Sequence, residues 1–147
     1  MNDGRYLVLM GIGYVVSATI ETGVLLLALS DRHSTRVRIF AGLWLTACTY
    51  PIVWLFLPQL IDPETDRPLY LVVAEVFAPV AECLLFWVAF IRPAEQREPI
   101  DDRRNRRAGR RDLFAIVVAN LASFGFGSLM QVAGIWIDIQ RAIGIRG

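Results

Sequence analysis

Four long apolar runs, and the acidic residues buried inside them, constrain this chain more than any other feature. The runs cover Tyr6–Leu29, Ile39–Leu60, Leu69–Ile91 and Leu113–Ile137. Each is about 20 residues or longer, which as a helix crosses a hydrocarbon layer of about 30 Å. None shows the apolar–polar alternation of a transmembrane strand. The expected fold is therefore all-α, with four transmembrane helices in an antiparallel bundle forming one domain over residues 1–147. A chain of 147 residues that is 55% hydrophobic also has too few polar side chains to cover a water-facing surface. The first run is expected to be a retained helix and not a cleaved signal, with "LALSD" as the cleavage site of the alternative. Its flank "MNDGR" holds a single arginine, and Glu21 interrupts a stretch longer than a usual signal core.

All fifteen basic residues are arginine, and their placement is lopsided. Eleven lie in two connections, Arg32, Arg36 and Arg38 after the first run and eight more in the stretch 92–112. Only Arg5, Arg67, Arg141 and Arg146 fall on the opposite side. The positive-inside rule then puts the arginine-rich connections in the cytoplasm and both termini outside, in what is expected to be a bacterial inner membrane. The stretch 92–112 is charged and nearly free of apolar residues, so it is expected to be mobile or only partly helical. Its Arg103, Arg104, Arg106, Arg107, Arg110 and Arg111 form a juxtamembrane cluster suited to anionic lipid headgroups or an acidic partner. Without aromatic residues for base stacking, it gives no reason to expect nucleic acid. The other connection, "IDPETDRP", lacks the glycine and the bidentate glutamate of a calcium loop and reads as a solvated acidic turn.

Inside the runs stand Glu21, Glu75 and Glu82, with no arginine, lysine or histidine to offset them. The single histidine, His33, is expected at the surface of the first connection. An acid in lipid must be neutralised by a proton, a bound cation or a basic group from another chain, and such acids usually mark function. Residues seven apart on a helix differ by about 20° in direction and about 10.5 Å in height. Glu75 and Glu82 are thus successive stations on one face, and Pro79 between them removes the hydrogen bond to the Glu75 carbonyl.

The other runs bring polar groups to similar depth. Gly13, Ser17 and Glu21 form one stripe, and Asn120, Ser123, Gly127, Gln131, Gly134 and Asp138 form a longer one. Such stripes serve either close helix contact or the lining of a polar path. At 1.5 Å per residue, Glu21, Thr46, Thr49, Glu82 and Ser123 fall within about 5 Å of the midplane. The candidate proton- or cation-binding set is Glu21, Thr49, Glu75, Glu82, Asn120 and Ser123.

Several chemistries find no residues to carry them. A bis-histidine haem needs histidines within the runs, and a ferritin-like di-metal site needs E-x-x-H pairs. His33 cannot complete a Ser–His or Cys–His couple, and no phosphate loop or iron–sulfur cysteine set is present. Cys48 and Cys83 read as small hydrophobes. A carboxylate-only metal site from Glu21, Glu82 and Asn120 stays open. Enzymatic activity is the least expected function.

A glutamate in the first of four helices is similar to small multidrug-resistance transporters, but those chains are shorter, with tight loops. "YLVVAEVFAPVAECLLFW" also does not match their glycine-rich third helix. Across all four runs, "ET" at Glu21, "TYP" at Thr49–Pro51, the E-x6-E of Glu75 and Glu82 and "NLASFGFG" from Asn120 resemble small bacterial four-helix membrane proteins with no established function. That resemblance implies a membrane setting and no particular activity. Two functions follow from the residues. The first is a small transporter or channel with an intramembrane carboxylate site. The alternative is an accessory subunit whose partner supplies basic groups to the glutamates, and either suits an oligomer or a membrane complex.

Overall fold

Helix α1 spans Asp3–Ala28, and α2 begins at Thr35 after a turn capped by the Ser34 side chain, which accepts from the Val37 N–H. The α-helical part of α2 ends at Pro51, then a π-helical turn at Ile52–Phe56 leads to a last turn at Leu57–Leu60. Helix α3 spans Arg67–Phe86 and closes in a second π-helical turn at Trp87–Ile91. Helix α4 spans Asp102–Val132. These elements come from a computed structural model that describes residues 3–93 and 102–134 and, among them, contains no strand. All four helices are long and apolar enough to cross a membrane. Arg97, Ile137, Asp138, Arg141 and Arg146 lie outside the described residues, as do the side chains of Arg5, Arg103 and Arg104.

The basic stretch 92–112, expected to be mobile or only partly helical, is helical from Asp102, where α4 begins. Arginine is a good helix former, and the Arg111 and Asp112 side chains tie this turn to the end of α1. Arg111 Nε donates to the Ala28 carbonyl at 3.0 Å, and Asp112 bonds to Ser30.

The helices close a ring. Helix α1 packs on α2 and α4, and α3 completes the circuit by packing on the same two. Backbone meets backbone closely at Gly42 of α2. A Cβ built there would lie 2.7 Å from the Thr22 Cα of α1, where no side-chain motion can relieve it. Gly42→Ala should therefore separate the two helices and cost about 1–3 kcal/mol. The change is read as an earlier thermal unfolding in detergent; an unchanged midpoint would contradict the close approach.

The π turn in α2 has a local cause and a use. The Leu57 N–H bonds to the Ile52 carbonyl, five residues back, and Pro58 has no N–H to give. The Val53 and Trp54 carbonyls, which Leu57 and Pro58 would otherwise serve, need outside donors. Tyrosines on the flanking helices supply them: Tyr70 Oη of α3 donates to Val53 at 3.0 Å, and Tyr6 Oη of α1 donates to Trp54 at 2.5 Å. Two orphaned carbonyls thereby fix three helices and set aromatic rings along one inner wall.

The outside of all four helices is apolar. Leu27, Phe56, Val72 and Leu129 are among the many large hydrophobic side chains left exposed.

Candidate functional site

The polar residues of the four helices converge on two buried carboxyl groups, and every helix takes part. Glu21 on α1 is 5% exposed and Glu82 on α3 is 3% exposed. Glu21 Oε2 accepts from Thr46 Oγ1 of α2 at 2.6 Å, and its Oε1 accepts from Ser123 Oγ of α4 at 2.7 Å. Glu82 Oε1 accepts from Thr49 Oγ1 of α2 at 2.7 Å, and its Oε2 accepts from Asn120 Nδ2 of α4 at 2.8 Å. All four carboxyl oxygens are engaged from within the chain. The design repeats an i, i+3 spacing, Thr46 with Thr49 and Asn120 with Ser123, so that each flanking helix serves both acids from one face.

The hydroxyls matter for what these acids can do, because each has one proton and two acceptors in reach. Thr46 Oγ1 also lies 2.7 Å from the Gly42 carbonyl, Thr49 Oγ1 3.1 Å from that of Leu45, and Ser123 Oγ 2.9 Å from that of Asn120. Facing an ionised carboxylate, a hydroxyl gives its proton to the acid. Facing a protonated carboxyl, it can accept the acid's proton and turn its own to the backbone carbonyl. Either state of the glutamates is hydrogen-bonded with no heavy atom displaced.

One helical turn beyond this polar layer lies an apolar one, built by the residue four positions away on each helix. These are Leu25 after Glu21, Leu45 before Thr49, Phe86 after Glu82 and Ile116 before Asn120, all 2% exposed or less. They close the space on the side of the Ser30–Ser34 turn. On the opposite side a cavity of about 880 Å³ opens above the acids and runs toward the Asp62–Asp66 turn, with Pro63, Glu64 and Arg67 at its rim. The turn itself is held by Asp62, whose Oδ2 accepts from the Thr65 hydroxyl at 2.7 Å and whose Oδ1 accepts from the Glu64 N–H at 2.9 Å. These bonds, the Thr65 hydroxyl first, keep its carboxyl below the usual carboxylate range.

Glu21, Glu75, Glu82, Thr49, Asn120 and Ser123 all line this one cavity. Glu75 stands nearer the rim, half-buried, with no hydrogen bond or ion pair among the described residues. Most of the two stripes lies on the same wall, since Gly13, Ser17, Gly127 and Gln131 also line the cavity, whereas Gly134 does not and Asp138 lies outside the described residues. Gly127 is not a helix-contact glycine: a Cβ there would meet nothing within 4 Å. Its smallness leaves room.

A second polar cluster lies past the apolar layer, and it corrects the reading of His33 as a surface residue. His33 is 8% exposed, packed edge-on against Phe86 and Phe90. Its Nε2 meets Asp112 Oδ2 at 3.0 Å. Asp112, fully buried, also accepts from the Ser30 N–H at 2.7 Å and from Ser30 Oγ at 3.0 Å, and its Oδ2 is ion-paired with Arg32 Nη2 at 2.6 Å. Arg32 Nε donates to the same Oδ2 at 2.9 Å and lies 3.2 Å from His33 Nε2, so guanidinium, imidazole and carboxylate meet at one point. Arg38 donates to the Leu26, Ser30 and His33 carbonyls, covering the bare end of α1. Arg32, Arg38 and Arg111, expected from the sequence to mark the cytoplasmic side, are thus also structural fasteners. Of the proposed lipid-facing set, Arg106, Arg107, Arg110 and Arg111 are exposed.

Among the described residues no group of three histidine, cysteine or acidic side chains could hold a metal ion. Cys48 and Cys83 are free, and Cys83 Sγ lies 3.6 Å from the Leu113 carbonyl on α4. Compared with protein-family models, with curated proteins and with solved structures, the chain matches none.

Proposed function

We propose that this chain is an integral membrane protein whose four antiparallel helices hold a one-sided chamber for proton-linked binding and carriage of a cation. The observation that carries the reading is the donor set around Glu21 and Glu82, which accommodates either protonation state. Membrane insertion is supported by four spanning-length helices with apolar exteriors. The antiparallel order is supported by the four-residue step between layers, forward on α1 and α3 and backward on α2 and α4. A carrier is favoured over an open channel because the Leu25, Leu45, Phe86 and Ile116 layer blocks a continuous polar path. The accessory-subunit alternative is less favoured for the two deep acids, whose hydrogen-bond donors come from the chain's own helices, and rests on Glu75.

The test is reconstitution. Proteoliposomes holding a pH gradient, followed by an internal pH dye, are exposed in turn to sodium, potassium and an organic amine. At least one cation should dissipate the gradient faster than in protein-free vesicles. Dissipation matching empty vesicles for every cation would overturn carriage.

A further inference from the structure

The cavity is far larger than protons or a metal ion require. At about 880 Å³ it is the size of a site for a drug-sized organic molecule. The wall chemistry narrows the class. Five aromatic side chains line it, Tyr6, Tyr50, Trp54, Tyr70 and Phe124. Tyr50 and Trp54 are stacked with ring centroids 5.6 Å apart, and Tyr6 packs on Trp54 at 5.6 Å. Tyr6 and Tyr70 are held by the π-turn carbonyls, so this wall is preformed. Aromatic faces attract cations. Among the described lining residues the charged side chains are Glu21, Glu64, Glu75, Glu82 and Arg67, four acidic against one basic. The deep acids already have four donors, whereas Glu75 has none among the described residues and stands half-buried on the same cavity.

We infer that the chamber binds a bulky organic cation, an aromatic or alkylated ammonium or phosphonium, with its charge at Glu75 and its apolar groups on the Tyr50–Trp54 wall. This rests on the proton-linked carrier reading and gives its substrate class. In it Glu75 is the substrate's counter-ion, and Glu21 and Glu82 below are the proton sites. The size of the chamber, the preformed aromatic wall and the acid without a donor are three separate features that a proton site alone would not need.

The test uses tetraphenylphosphonium and its anionic counterpart of matching shape, tetraphenylborate, titrated into the full-length protein in lipid nanodiscs by calorimetry. Tetraphenylphosphonium should bind saturably. Glu75→Gln should weaken it by about tenfold or more, the equivalent of about 1.4 kcal/mol, and Trp54→Leu should weaken it independently. Tetraphenylborate should show only the partitioning of empty nanodiscs. Equal binding of the two ions, or binding indifferent to Glu75→Gln, would reduce the chamber to an apolar sink and overturn the inference. So would absence of tetraphenylphosphonium binding in protein that still exchanges protons for sodium or potassium, an outcome that leaves the carrier reading standing. Failure of every cation, inorganic and organic, to bind or to dissipate the gradient removes both.

Discussion

Glu82→Gln should bring cation-linked proton flux in proteoliposomes to the level of protein-free vesicles while leaving the fold nearly intact. The amide has almost the shape of the carboxyl it replaces, and its oxygen can accept from Asn120 Nδ2, which now donates to Glu82 Oε2 at 2.8 Å. Its nitrogen then donates to Thr49 Oγ1, whose own proton turns to the Leu45 carbonyl 3.1 Å away. Both hydrogen bonds are kept, so the cost in stability should be about 1 kcal/mol or less. The functional loss should be far larger, since an amide carries no titrating proton under ordinary conditions. Glu21→Gln should behave in the same way, its oxygen accepting from one of Thr46 and Ser123 and its nitrogen donating to the other, whose proton turns to its backbone carbonyl. Flux that persists in a folded Glu82→Gln protein would contradict the assignment of this acid.

Asp112→Ala should be the most damaging substitution for stability. It removes the carboxylate that the Ser30 N–H, the Arg32 guanidinium and His33 all contact, with Asp112 and His33 buried and Arg32 partly so. Removing one partner of a buried ion pair costs about 3–5 kcal/mol, because the other charge is left without compensation. The loss should appear as a thermal midpoint well below that of Glu82→Gln and as proteolysis near the Ser30–Ser34 turn. Asp112→Asn should fall between, since it keeps an oxygen for the Ser30 N–H but sets an amide against the Arg32 guanidinium and His33. A midpoint for Asp112→Ala equal to that of the unaltered protein would mean the cluster does not hold α1, α2 and α4 together.

Both substitutions bear on how much of the structure was readable in advance. Depth along a helix is arithmetic, so counting from the run ends placed Glu21, Thr46, Thr49, Glu82 and Ser123 at one level, and the structure joins them by hydrogen bonds. The pairing of acids with donors was not legible, because a single run does not state which helices are neighbours. Asp112 was hidden by its surroundings: after a row of arginines it reads as part of a solvated segment. The available signal was a lone acid at the very start of an apolar run, four residues before Ile116 on the face that reaches Asn120. His33 was misread because connections are normally solvated, whereas this one is folded under the helix ends by Asp112. The roles of Tyr6 and Tyr70 depend on a π turn, and a shift from four-residue to five-residue hydrogen bonding leaves no mark in hydropathy. Pro58 was its one visible cause.

The central claim is that Glu21 and Glu82 form a proton-binding pair whose surroundings serve both charge states. Its most direct test is the infrared difference spectrum of the reconstituted protein between acidic and alkaline buffer. A protonated-carboxyl stretch should be present in acid and absent in alkali, should diminish in Glu82→Gln or Glu21→Gln, and should nearly vanish in the double variant. The amide bands of the backbone should barely change, as expected of a site that changes charge by turning hydroxyls and not helices. A carboxyl signal indifferent to both substitutions, or large backbone changes accompanying protonation, would contradict it.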